Sequence, residues 1–174
     1  MIRLCFDYGH GGRDPGARYV GRKESDDVLS VGQAVASYLR QQGVSIDETR
    51  TRDESVDLCK RGQFENKSKY DYFISFHRNA YRPEVGTGAE TYVYLTGSPK
   101  ACNLAKGIQK ALAGLGFKDR GVKRANFYVL RNTRAPAILI EIGFIDNTAD
   151  NKLFDQKRQE IVKALGEAIF LGIK

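Results

Sequence analysis

The stretch Leu4-Cys5-Phe6-Asp7-Tyr8-Gly9-His10-Gly11-Gly12-Arg13-Asp14-Pro15-Gly16 sets the reading of the chain. Ile2, Leu4 and Phe6 make a short apolar run bounded by turn signals, the pattern of a strand. The run breaks into a Gly-rich loop over residues 8–23, where glycines reach backbone conformations closed to other residues. His10, one of two histidines, stands where strand gives way to loop. The other, His77, closes a second apolar run, Tyr72-Phe73-Ile74-Ser75-Phe76. In open α/β sheets ligands bind in the crevice outside the carboxyl ends of the strands, and both histidines fall at such ends.

Outward from this stretch, helical and extended patterns alternate. Ser25 is placed to cap a helix, with Glu24 just ahead of it, Asp26 and Asp27 at the positive end of its dipole, and Gly43 as its stop. Val28, Val31, Val35 and Leu39 give that helix one apolar stripe. Val44 and Ile46 make a short strand, residues 57–68 a weaker helix, and residues 89–95 a further strand. Ser98-Pro99 opens another helix, whose buried face is Leu104, Ile108, Leu112 and Leu115. Residues 121–130 read as a loop with a short strand. The most apolar run, 137–142, reads as a central strand. After Asp146-Asn147 a last helix turns Ile161, Val162, Leu165 and Ile169 inward. The pattern predicts an α/β fold: a single layered domain over residues 1–174, with a twisted, mostly parallel (mixed) central sheet flanked by helices on both faces. A chain of 174 residues buries a sound core without disulfides.

The net charge of +7 suits either a polyanionic partner or a solvated surface. No run of five or more basic residues occurs, so a dedicated nucleic-acid surface is not expected. Cys5, Cys59 and Cys102 are odd in number and far apart, and no C-x-x-C pair occurs. They read as reduced structural thiols. No apolar stretch approaches the ~20 residues of a membrane span. No signal-peptide pattern is expected, because Arg3 and Asp7 interrupt any apolar run behind Met1.

Four residues stand out chemically: His10, Glu24, His77 and Glu141. Imidazole nitrogens and a carboxylate suit zinc, whose catalytic sites commonly use three protein ligands, although such donors also accept other divalent ions. Each residue has a plainer role open to it. A histidine at a strand end can simply hydrogen-bond, and Glu24 can simply face a helix dipole. Glu141 sits inside a run of branched apolar residues, where an ionised carboxylate is costly unless compensated. A buried ion pair with an arginine would do that; in the functional reading, a carboxylate beside a metal takes the proton of its bound water and later hands it to a leaving amine.

Read with their neighbours, these positions resemble the zinc-dependent N-acetylmuramoyl-L-alanine amidases, cell-wall hydrolases of bacteria and phages. The family pattern D-x-G-H-G-G-x-D-x-G is met by Asp7–Gly16, and the glutamate before the first helix by Glu24. The T-R-x-x-D segment is met within Thr49–Asp53, read in register from Thr51 or nearby. S-x-H-x-N-A is met by Ser75–Ala80, G-x-E by Gly88–Glu90, and P-A-x-L-x-E-x-G-F by Pro136–Phe144. The match runs in order over essentially the whole chain. It implies zinc held by His10, Glu24 and His77, with Glu141 as the catalytic carboxylate. The implied reaction is hydrolysis of the amide between the lactyl group of N-acetylmuramic acid and L-alanine.

The resemblance also implies peptidoglycan as partner, with anionic wall polymers as a match for the positive charge, and a monomer without nucleic acid or membrane insertion. Beside His77, Asn79 is a candidate to orient a ligand, touch substrate or form a turn. Arg78 is a candidate to meet a substrate carboxylate, although solvent is the favoured reading. No separate wall-binding domain is expected within the chain. The expected setting is an endolysin-like or lysis-released enzyme, made in the cytoplasm and acting at the cell wall. The alternative is a catalytically silent peptidoglycan-binding module on the same fold. A zinc peptidase of the H-E-x-x-H kind lacks its motif here.

Overall fold

The run Ala137-Ile138-Leu139-Ile140 is apolar toward both sides of the backbone, a pattern suited to a strand covered on both faces. In the computed structural model, which describes residues 2–174, it forms β8 (Ala137–Phe144). β5 (Tyr72–Asn79) lies parallel to β8 on one side, and β6 (Ala89–Val93) antiparallel on the other. β1 (Arg3–Tyr8) pairs in parallel with β5 and with β4 (Ser45–Glu48), while β6 pairs in parallel with β7 (Asp119–Arg124). The order is β4-β1-β5-β8-β6-β7, the mixed and mostly parallel sheet expected from the sequence.

Alternation along β1 separates the two faces. Leu4, Phe6 and Tyr8 join the main core with the apolar stripes of α1 (Glu24–Gln41), α3 (Pro99–Gly114) and α6 (Arg158–Gly172). Cys5 points the other way and packs with Phe73 and Leu139 under α2 (Leu58–Asn66) and α4 (Tyr128–Arg131). Asp7, His77 and Glu141 follow on this second face, toward the carboxyl ends of their strands. No helix among the described residues is long and apolar enough to cross a membrane.

The elements differ from the sequence reading where local hydrogen bonds decide. Ser25 is not the N-cap of α1: Lys23 is, and Glu24 is the first helical residue rather than the one before the helix. The loop does the capping, because the Pro15 carbonyl accepts from Ser25 N at 3.1 Å and the Ala17 carbonyl from Glu24 N at 3.0 Å. Gly43 does stop the helix, with φ at +81° and Val44 N donating to the Leu39 carbonyl. The expected final helix is two, α5 (Thr148–Gln156) and α6, with Asn147 capping α5 through Asp150 N. The Gly-rich loop carries a small hairpin of β2 (Arg18–Tyr19) and β3 (Arg22–Lys23), and residues 121–130 end in α4.

Candidate active site

The loop leaving β1 turns sharply at His10, which holds φ at +60°, a left-handed conformation that ordinary residues avoid. Two buried arginines hold it there. Arg50 Nε and Arg61 Nη1 donate to the Tyr8 carbonyl at 2.9 and 2.6 Å. Arg50 Nη2 reaches the Gly9 carbonyl at 3.0 Å, and Arg61 Nη2 the His10 carbonyl at 2.7 Å. Three consecutive carbonyls are thus gripped by guanidinium groups, which offsets a strain on the order of 1–3 kcal/mol. Arg61 is itself neutralised by Asp7, at 2.7 Å, and Asp7 also accepts from Thr49 and Ser75 hydroxyls at 2.7 Å each. Burial alone would raise the Asp7 carboxyl, but the Arg61 charge and these hydrogen bonds hold it below its ordinary range.

Sequence reasoning missed Arg50 and Arg61 as positioning residues. The signal was Asp7, a carboxylate in an apolar strand that needed a cation. The T-R-x-x-D register also falls at Thr49 rather than Thr51: Thr49 binds Asp7, Arg50 grips the carbonyls, and Asp53 Oδ1 accepts from Gly12 N at 2.7 Å.

That turn delivers His10 to Glu24 and His77. His10 Nε2 lies 3.2 Å from Glu24 Oε2, and His77 Nδ1 lies 2.9 Å from Glu24 Oε1. Their ligand atoms all fall within 4.8 Å of one another, so the three can hold a metal ion. His10 Nδ1 lies 2.8 Å from Asp14 Oδ2, the kind of outer carboxylate that fixes a ligand imidazole. The surroundings are cut to fit. A Cβ on Gly9 would come within 2.2 Å of His77 Cε1, and one on Gly16 within 2.6 Å of both Glu24 Oε2 and His10 Cδ2. Burial works against a charged His10, yet Glu24 and Asp14 raise it to about 9. Burial would likewise raise Glu24, yet the two imidazoles hold it well below the usual carboxylate range. The cluster is thus built around a positive charge.

Glu141, on β8, stands directly across from His77 on β5 and from Glu90 on β6. Its Oε2 is buried and has no hydrogen-bond partner among the described residues. Burial pushes its carboxyl well above the ordinary value, the negative charges of Glu24 and Glu90 add to this, and Arg78 opposes it. His10, His77 and Glu141 line a cleft of about 1140 Å³, whose far wall includes Leu58, Phe127 and Tyr128.

The two weaker site candidates do not reach this cleft. Arg78 is buried rather than exposed to solvent or substrate. Its guanidinium pairs with Asp27 at 2.7 Å, donates to the Ile142 carbonyl at 3.1 Å and lies over the Phe154 ring. The cause is strand parity: β5 turns His77 to the cleft and Arg78 to the opposite face, among the helices. Asn79 donates to Glu90 and accepts from Ala80 N, and it does not line the cleft. Glu90 is in turn held by Arg120 and Lys123, so these residues brace the strand beside Glu141.

Comparison with known proteins is consistent across sequence and structure. The N-acetylmuramoyl-L-alanine amidase family matches residues 4–174. The amidase CwlM of Bacillus licheniformis is 40% identical over 86% of this chain and 59% of its own length. The sporulation-specific N-acetylmuramoyl-L-alanine amidase of Bacillus subtilis is 39% identical over 100% of this chain and 68% of its own. This chain therefore spans about 59–68% of the length of those relatives. An N-acetylmuramoyl-L-alanine amidase of Clostridium difficile 630 superposes with a TM-score of 0.92 at 29% identity, covering 98% of this chain and 95% of that one.

Proposed function

The chain belongs to the N-acetylmuramoyl-L-alanine amidase family, and from that premise we propose that it hydrolyses the amide joining N-acetylmuramic acid to L-alanine in peptidoglycan. One observation carries the reading: a buried, unpartnered carboxylate oxygen on Glu141, set across the strand from a two-histidine, one-glutamate cluster in an open cleft.

In this reading His10, Glu24 and His77 hold zinc, whose catalytic sites include sets of two histidines and one glutamate. Bound zinc would polarise the scissile carbonyl and bring the pKa of water down towards ~7. Glu24 compensates the ion's charge, and the Gly9 and Gly16 cradles keep both imidazoles in place. Glu141 does the proton work. Its free oxygen accepts the proton of the attacking water and delivers it to the alanine nitrogen as the C–N bond breaks, so that the amine leaves neutral. Arg50, Arg61 and Asp7 hold the histidine loop still through the cycle.

The test pairs metal analysis with digestion of purified peptidoglycan, on the parent and on Glu141→Gln. The expected result is one zinc per chain in both, stem peptides with a free L-alanine amino terminus from the parent, and kcat/KM lowered by about 10²–10⁴-fold in the variant. Loss of metal from Glu141→Gln would make Glu141 a ligand instead of the proton carrier. A parent that binds the wall without cutting it would leave a binding module.

A further inference from the structure

The cleft carries one unanswered charge. Among the described residues lining it, the guanidinium or ammonium groups are those of Arg13 and Arg61. Arg61 is buried and fully engaged by Asp7 and by the Val56, Tyr8 and His10 carbonyls. Arg13 is exposed, and its side chain has no ion pair or hydrogen bond with any described residue; only its backbone is held, N to Ser55 Oγ at 2.9 Å. Of the exposed acidic groups on the same walls, Asp14 faces His10 and Asp57 lies 3.4 Å from Lys60, and neither pairs with Arg13.

An exposed arginine is ordinarily a solvated one, but this one stands on a rigid mount. Gly11 and Asp14 exchange backbone hydrogen bonds at 2.7 and 3.2 Å, which puts Gly12 and Arg13 at the tip of a two-residue turn. Gly12, at φ +62°, supplies the backbone conformation, and Asp53 and Ser55 pin the tip from outside. The base of Arg13 is therefore fixed three residues past His10, and only its side chain is free to meet a ligand.

A guanidinium in such a place is matched to a planar anion that it can hold by two parallel hydrogen bonds. The stem peptide that begins at the scissile amide supplies one. Its second residue is an isoglutamate, joined through its side chain, so its α-carboxyl hangs free unless the bacterium amidates it. Two residues of extended chain place that carboxyl about 7 Å from the scissile bond, within the span of a long side chain rooted beside a ligand.

We propose that Arg13 is a specificity-determining residue of the cleft, which pairs with the free α-carboxylate of isoglutamate and disfavours stems carrying isoglutamine. The proposal rests on the amidase reading above. It replaces Arg78, buried on the opposite face, as the cation that meets substrate.

The experiment compares the zinc-loaded enzyme on two disaccharide-tetrapeptides that differ only in isoglutamate or isoglutamine at the second position. The parent is expected to favour isoglutamate by roughly tenfold in kcat/KM, expressed mainly in KM, because a charged hydrogen-bonded pair becomes a neutral one. Arg13→Gln should bring the ratio near one, and Arg13→Lys should retain part of it. A parent ratio near one, or a preference that survives in Arg13→Gln, overturns the proposal. Calorimetric binding of the dipeptides L-Ala-D-isoglutamate and L-Ala-D-isoglutamine separates it from the reading beneath it. If neither muropeptide is cut, the amidase reading fails. In that case the dipeptides decide: a preference lost in Arg13→Gln supports the role of Arg13, and none in the parent ends it.

Discussion

Asp7 and Glu141 are two carboxylates set into the same face of one sheet, two strands apart, and the protein treats them in opposite ways. Asp7 has a guanidinium and two hydroxyls at 2.7 Å, and its carboxyl is held below its ordinary range. Glu141 has an oxygen with no partner, and its carboxyl is pushed up by burial and by the charges of Glu24 and Glu90. The same cost of burying a charge is compensated in the first case and left standing in the second. A compensated carboxylate is inert scaffold; an uncompensated one has an open proton site. The difference marks where the fold is made stable and where chemistry can happen.

Substitutions that break this contrast should act with opposite signs. Asp7→Asn leaves Arg61 charged and buried, and should cost about 3–5 kcal/mol in urea unfolding. Because the ionised Asp7 is favoured in the fold, its contribution is whole above an unfolded pKa of ~3.9 and disappears as pH falls through the lower folded value. The deficit of the variant should therefore be full at neutral pH and shrink only in acid. An equal deficit at every pH would show that Asp7 acts by shape and not by charge.

Gly9→Ala sharpens the comparison from the site side. Its added Cβ would lie 2.2 Å from His77 Cε1, so the imidazole must move. Metal affinity should fall by about 10–100-fold in a chelator competition, as it does when other supports of a ligand are disturbed. Unchanged affinity would mean that the glycine serves only the backbone.

The smallest effect expected is also the most telling. In the metal-free protein Glu141→Gln should raise the unfolding midpoint, since a carboxyl whose folded pKa is raised destabilises the fold once the unfolded chain ionises. The gain should be absent well below pH ~4.3 and grow as pH rises past it. A variant less stable than its parent at pH 8 would mean that Glu141 is compensated after all.

Much of the scaffold was legible because periodicity reports burial directly. Val28, Val31, Val35 and Leu39 at helical spacing all came out fully buried. Ser98-Pro99 opened α3 as expected, with Ser98 accepting from Ala101 N. Boundaries were less legible, since they turn on bonds to distant segments. Ser25 had the right chemistry for a cap, but the Pro15 and Ala17 carbonyls reached the first-turn amides instead. Arginine was read worst. A long side chain with a charged head looks the same in sequence whether its head is in water or folded back on backbone carbonyls. Solvent is the favoured sequence reading for Arg78, which lies among the helices, while nothing in the sequence marks Arg61, or Arg50 within its motif, as the supports that hold the histidine loop.

The residue types alone settled the α/β alternation, the central strand and the four side chains singled out as chemically unusual, because hydrophobic spacing and the cost of a carboxylate in an apolar run are local facts. What they left open was which buried carboxylate is neutralised and which is left bare. Arg61 and Asp7 are 54 residues apart in sequence, and His77 and Glu24 are 53 apart. Only the folded chain brings Arg61 on α2 to Asp7 on β1, and Glu24 on α1 to His77 on β5. Charge compensation acts over a few ångströms in space with no regard for distance along the chain, so the tertiary fold decided it.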